Sequence, residues 1–428
     1  MIRIRTMRLV SLAAAMGMVS SLGACKGYLD VTNPGPILDA ALFTPDAVPP
    51  LVVGMSSDLS NQYDELARFS SITADESGHG GSYAPEALWT DGIIRPEDVN
   101  GLWANMQSTR FETESGVDRM KTIQGFDYEH SPYAARANML AGFADRTLGE
   151  FACYSVIDNG PAEDRVKYFQ RAEGYFTEAI RLAQQASAAP SPDDPASVLT
   201  ASYAGRAAVR AWQGNWTGAV ADAQLVPTKF EYDAIFSTNT FRENNSLVQE
   251  TWVRREFSVY GSQWAQVFND PRVPWDTIKT STGAIQKGQD GKTPYFRQRK
   301  YTSLGSAIPL THGTEMLMIR AEAALRNSDI PGAFTLINQS RAFYGMAPLT
   351  APTDITTAWQ TFEKEKGATM WLEARRLWDL QRWNAAAGPS HNSFLDGRDK
   401  CIPISQNEMQ SNPNLMNNPL PPISPPVP

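Results

Sequence analysis

Histidine and cysteine are scarce in this 428-residue chain, at four and three residues. His79, His130, His312 and His391 are scattered, and no two stand at metal-ligand spacing. No HExxH, Gly-x-Ser-x-Gly elbow, phosphate-binding loop or dinucleotide fingerprint is present. The sequence therefore offers no catalytic residue, no metal site and no cofactor. A basic excess is missing too: 38 Lys and Arg stand against 46 Asp and Glu, a formal net charge of −8. A polyanion needs cations to neutralise its phosphates, so nucleic acid is excluded as a partner. The apolar stretch Leu9 to Leu22 is shorter than the ~20 residues of a bilayer span, and no second span follows it.

That stretch has another use. Arg3, Arg5 and Arg8 precede it, as in the positive region of a signal peptide. Leu22-Gly23-Ala24-Cys25 closes it and resembles a bacterial lipobox. Residues 1–24 are expected to be a lipoprotein signal peptide, with Cys25 the lipidated residue and the anchor to the membrane. Acyl chains contribute about 0.8 kcal/mol per buried methylene, which makes a durable anchor. Residues 25–49, Pro- and Gly-bearing, read as a tether. Cys153 and Cys401 read as two buried thiols, with a disulfide the alternative.

The remainder, 50–428, reads as one mainly α domain. Residues 50–226 form a helical-repeat part, with helices over about 51–66, 96–123, 133–152, 164–187, 196–213 and 216–225. Residues 70–96 look like a loop. Residues 227–312 are irregular, with short strands. In 313–428, helices are expected at 313–326, 331–344 and 359–383, followed by an extended surface tail after Leu395. Gly214-Asn215-Trp216-Thr217-Gly218-Ala219 and Ser328-Asp329-Ile330-Pro331-Gly332-Ala333 each join two helices, a weak repeat of tetratricopeptide type.

Aromatic residues are the positive signal, with 11 Trp and 14 Tyr. Sugars present C–H faces that stack on such rings, and loops carry binding groups on a rigid scaffold. Trp212, Trp371, Trp378 and Trp383 lie on helices and belong to the core. Tyr83 and Trp89 in the 70–96 loop, and Trp264, Trp275 and Tyr295 in the irregular part, are the candidate ligand-binding rings. Trp252 and Tyr260 accompany them there. Asp75, Glu76 and Asn269 are the candidate polar partners at the edge of the rings. Asp75-Glu76 is also the best candidate for a hydrolytic carboxylate pair, although a structural capping role fits it better.

Several short patterns then occur in the order of one family. Asp270-Pro271-Arg272, Lys300-Tyr301, Glu315 to Ala323, Asn338 with Arg341, Glu373 with Arg376, Asp379-Leu380 and Arg382-Trp383, and Ile402-Pro403-Ile404 resemble the motifs of the RagB/SusD family. Tyr28-Leu29-Asp30-Val31 and Asn33-Pro34 resemble its start. The family's Gly after the Glu is Ala374 here. Glu322, Glu373, Arg341, Arg376, Asp379 and Arg382 read as ion pairs that fix helix register. The resemblance implies a tetratricopeptide-like scaffold and a nutrient-binding outer-membrane lipoprotein, facing the cell surface. It would capture a small nutrient such as an oligosaccharide and deliver it to a SusC-like TonB-dependent receptor. A scaffold lipoprotein for outer-membrane complexes and an all-helical glycoside hydrolase are the alternatives.

Overall fold

In the computed structural model, residues 43–416 and 418–427 are described. The signal peptide, Cys25 and the motif around Tyr28 to Pro34 lie outside the described residues. The element around which the fold is built is a helix of 20 residues, Pro132–Phe151, in which every residue except Tyr133 is buried. Alanine and glycine make up much of it, so neighbouring helices come close. A Cβ on Gly142 would meet the Phe176 ring at 2.8 Å, one on Gly149 the Phe169 ring at 2.6 Å, and one on Gly205 the Phe176 ring at 2.3 Å. Phe176 thus fills a slot walled by two glycines on different helices.

The helices in chain order are α1 Val48–Thr73, α2 Ala84–Thr90, α3 Asn100–Thr122, α4 Pro132–Phe151, α5 Val166–Ala183, α6 Pro195–Trp212, α7 Trp216–Ala223, α8 Gly313–Arg326, α9 Ile330–Phe343, α10 Ile355–Thr369, α11 Arg376–Ala385 and α12 Gln406–Ser411. Single turns are left unlabelled. Three consecutive pairs, α4–α5, α6–α7 and α8–α9, pack against each other as helical hairpins, so the fold is mainly helical and tetratricopeptide-like. The two linkers noted in the sequence have one local design. Gly214 and Ser328 take positive φ, 79° and 58°. Asn215 and Asp329 then cap the next helix by accepting the N–H of Gly218 and Gly332, at 3.0 and 2.9 Å. A Cβ at either glycine would collide with the cap that holds it.

The irregular part forms short antiparallel ladders, one of them with a strand from outside it: β1 Gly78–His79 with β5 Phe257–Ser258, β4 Glu231–Ala234 with β8 Ile308–His312, and β6 Trp275–Thr277 with β7 Phe296–Gln298. A further pair, β2 Tyr154–Ser155 with β3 Glu163–Asp164, closes the turn between α4 and α5.

Four expectations are corrected. The 70–96 segment is only partly a loop, because α1 runs on to Thr73 and α2 spans Ala84–Thr90. The single helix over 359–383 is two, α10 and α11. Between them Leu372 and Ala374 take positive φ, 60° and 59°, and no Gly or Pro marks the break. Cys153 and Cys401 are bridged, with Cα atoms 5.1 Å apart. Backbone pairing brings them there: Ile402 N–H donates to Phe151 O at 2.7 Å and Cys153 N–H to Ile402 O at 2.9 Å. The tail after Leu395 is not all on the surface, since Leu395, Cys401, Ile402 and Ile404 are buried and α12 interrupts it.

The turn between α10 and α11 explains the charged motifs. Glu373 takes Lys300 Nζ at 2.5 Å and His312 Nε2 at 2.9 Å. Arg375 reaches Glu150 at 3.0 Å, and Arg376 reaches Asp75 at 2.7 Å. Further along, Glu322 gathers Arg382 and Lys366 at 2.8 and 2.9 Å, and both cations also touch Asp379. Arg272 of the Asp-Pro-Arg turn reaches Glu365 at 2.8 Å, where Arg341 also ends at 2.6 Å. These pairs are buried, and each member left alone would be an uncompensated charge. Trp212, Trp371, Trp378 and Trp383 are core residues, as expected.

Candidate functional site

The sequence reading places the site where the 70–96 segment approaches the irregular 247–300 region, and the two do meet. Gly78 pairs with Ser258 and His79 with Phe257, and Gly80 N–H donates to Glu256 O at 2.7 Å. The candidate residues do not all reach a common surface.

Trp89, Trp264 and Tyr295 are 6, 2 and 0% exposed, so they have no ring face to offer a ligand. Trp89 packs edge-on against Phe69, and the Tyr295 hydroxyl donates to Thr251 O. Glu76 is fully buried, with Oε1 accepting the Leu372 N–H at 2.6 Å. Burial pushes its carboxyl up to about 8, so it is a neutral clamp at pH 7. Both oxygens of Asp75 accept from the Arg376 guanidinium at 2.7 Å. Asp75 and Glu76 are therefore structural groups, and the hydrolytic pair is not assembled at this position. Tyr83 is 39% exposed, but its ring lies under the Arg254 guanidinium at 4.9 Å and does not join the other rings.

Trp275 and Asn269 remain, and the structure surrounds them with rings. Trp275 stacks on Phe296 at 4.9 Å with planes 9° apart. They are diagonal neighbours on one face of the β6–β7 ladder, where Trp275 opposes Gln298 and Thr277 opposes Phe296. Tyr260 meets the far side of the group, 5.3 Å from Phe296, and Phe268 lies 5.3 Å from Trp275. Phe268 is 67% exposed and Tyr260 44%. Four rings, Tyr260, Phe296, Trp275 and Phe268, thus form a row that reaches solvent at both ends. Exposed rings of this size are not explained by core packing.

The row is held rigid. Trp275 Nε1–H donates to Trp264 O at 3.1 Å and to Val267 O at 3.0 Å. Buried Trp264 thus positions the ring that sequence reasoning had grouped it with. The other face of the ladder is polar. Asp276 forks with Arg297 at 2.7 and 2.9 Å, and Arg297 and Arg299 lie over Trp252 at 4.4 and 5.1 Å. Beside Trp275 an open cleft of about 660 Å³ is lined by Phe268, Asn269, Asp270, Asp276, Thr277 and Arg299, among others. Such a surface can take a flat, hydroxyl-bearing ligand, with C–H faces on the rings and hydroxyls on the amide, carboxylates and guanidiniums.

Sequence reasoning missed Phe268 and Phe296. Tyr295 and Phe296 are neighbours in an extended segment, so their side chains take opposite faces. One ring is fully buried and the other only partly, and nothing local says which.

Residues 228–400 match the model of the SusD family, a span that contains the whole aromatic row. Solved structures share the fold. The surface glycan-binding protein A of Bacteroides thetaiotaomicron, in complex with laminarihexaose, aligns over 87% of this chain and 98% of its own with TM-score 0.67 and 14% identity. NanU of B. fragilis aligns over 89 and 97% with TM-score 0.65 and 12% identity. A laminarin-binding SusD-like protein aligns over 86 and 98% with TM-score 0.59 and 14% identity. No curated protein sequence matches the chain.

Proposed function

We propose that this chain, a member of the SusD/RagB family, is a lipid-anchored outer-membrane protein that captures an oligosaccharide and passes it to a SusC-like TonB-dependent receptor. It binds its ligand without turning it over. The row Tyr260–Phe296–Trp275–Phe268 carries this reading. Its rings are pre-positioned and partly open to water, so little ordering entropy opposes binding. Two of the solved relatives are described as bound to laminarihexaose or as laminarin-binding, which makes β-glucan the first probe. Anchoring rests on Leu22-Gly23-Ala24-Cys25. Among the described residues no helix is long and apolar enough to cross a membrane.

The test is retention on gels that hold laminarin or other glycans, followed by calorimetry with laminarihexaose, beside affinity purification from native membranes. The reading expects saturable binding to at least one glycan, with no cleavage, and co-purification of a large β-barrel receptor. A chain that binds no glycan and brings down only envelope assembly factors would overturn it in favour of a scaffold role. Acyl labelling that persists in Cys25→Ser would overturn the anchor.

A further inference from the structure

Away from the aromatic row, the β1–β5 ladder assembles a second group of side chains. An imidazole nitrogen of His79 and one carboxylate oxygen each of Glu86 and Glu256 lie within 4.8 Å of one another. The chain makes specific room for them. A Cβ on Gly81 would stand 1.8 Å from Glu256 Oε2, so only glycine lets that carboxylate enter. Ser82 N–H then holds the same oxygen at 2.6 Å. Glu86 sits in the first turn of α2 and points inward, 5% exposed.

Two atoms of this group lack partners. Glu86 Oε2 and His79 Nε2 are both buried and accept or donate no hydrogen bond. A buried polar atom of this kind carries its full desolvation penalty. With Glu86 ionised, as a metal ligand must be, the charges also fail to balance. Glu86, Glu250 and Glu256 face Arg68 and Arg254, three carboxylates against two guanidiniums.

We propose that His79, Glu86 and Glu256 bind a divalent transition-metal ion of the zinc type. A cation satisfies both unpartnered atoms and the surplus negative charge. One imidazole and two carboxylates with no thiolate suit Zn²⁺ or Mn²⁺, whereas Ca²⁺ calls for six to eight oxygens. Bond lengths of about 2.0–2.2 Å need the three atoms to draw together by roughly an ångström. Ser82 and Arg254 orient Glu256 from behind, as outer groups do in metal sites. The scattered histidines of the sequence exclude paired histidine ligands, but not this mixed set, whose third member arrives through strand pairing. Once bound, the ion staples the 79–86 stretch to the strand that leads into Tyr260.

The full chain, purified in detergent and stripped with chelator, is titrated with ZnCl₂ by calorimetry, with CaCl₂ in parallel, and its melting temperature is followed. One equivalent of Zn²⁺ is expected at micromolar or tighter Kd, with Ca²⁺ at least 100-fold weaker and a melting temperature that rises with Zn²⁺. Glu86→Gln and His79→Ala should each weaken Zn²⁺ at least tenfold. Glu86→Gln should also raise the melting temperature of the metal-free chain, because a buried carboxylate without a partner is gone. The proposal is overturned by the absence of saturable Zn²⁺ binding in the parent, or by binding that both variants keep.

Discussion

Glu76 accepts the backbone N–H of Leu372 at 2.6 Å and keeps its other carboxyl oxygen unpartnered. It thereby fixes the left-handed turn that separates α10 from α11. Burial raises its pKa from 4.5 to about 8. Between those values the folded chain retains a proton that the unfolded chain has released. Stability from this group therefore falls as pH rises through that window, and the penalty is complete above pH 8. Glu76→Gln keeps the acceptor and removes the titration. Relative to the parent it should gain about 1 kcal/mol per pH unit in denaturant melts between pH 5 and 8. A difference that stays flat over that range contradicts the neutral clamp.

Trp275 and Trp89 should separate binding from folding. Trp275→Ala removes the centre of the exposed row and should weaken glycan binding by about 1–3 kcal/mol in calorimetry. Its far-ultraviolet circular dichroism should stay that of the parent. Trp89→Ala empties a buried site beside Phe69 and should cost about 3–5 kcal/mol of stability in urea melts. Equal binding by the Trp275 variant and its parent would move the ligand elsewhere.

Gly205 and Gly174 should respond to alanine in opposite directions. Helix propensity alone favours alanine by about 1 kcal/mol at both. At Gly174 no atom waits within 4 Å of the new methyl, so that gain is kept. At Gly205 the methyl meets the Phe176 ring at 2.3 Å, and overpacking of about 1–3 kcal/mol outweighs it. Thermal melts of the two single variants read the contrast, and a stabilised Gly205→Ala would contradict the close packing of α5 on α6.

Loss of the Cys153–Cys401 bridge should lower stability by about 2–5 kcal/mol. The double variant Cys153→Ser, Cys401→Ser, compared with its parent in urea with and without reductant, checks this. The variant should be indifferent to reductant and the parent should fall towards it.

What could be read from the sequence was what local chemistry decides. The helix Gly313–Arg326 emerges at its expected bounds, because its apolar stripe and ends are written into neighbouring residues. The two hairpin linkers were visible for the same reason. The charged motifs were legible as register-setting pairs, though not which partner each would find. The aromatic residues were legible only as a population. Whether Tyr295 or Phe296 meets water depends on which side of the extended segment packs inward. Ala374 concealed a chain reversal, since a left-handed residue normally advertises itself as glycine. The cysteine pair was hidden because the pairing of Phe151 and Cys153 with Ile402 is a tertiary event.

The bridge joins positions 248 residues apart, and everything that matches the family model, 228–400, lies within the span it closes. Topologically that span is a ring with its clasp at the α4 end, and the aromatic row sits on the free arc opposite the clasp. Lengthening such an arc costs only logarithmically in closure entropy. Insertions or deletions in the 278–293 loops would leave both ends of the ring delivered to the same place. A lineage can therefore rewrite the exposed aromatic row while the scaffold inherits its closure unchanged.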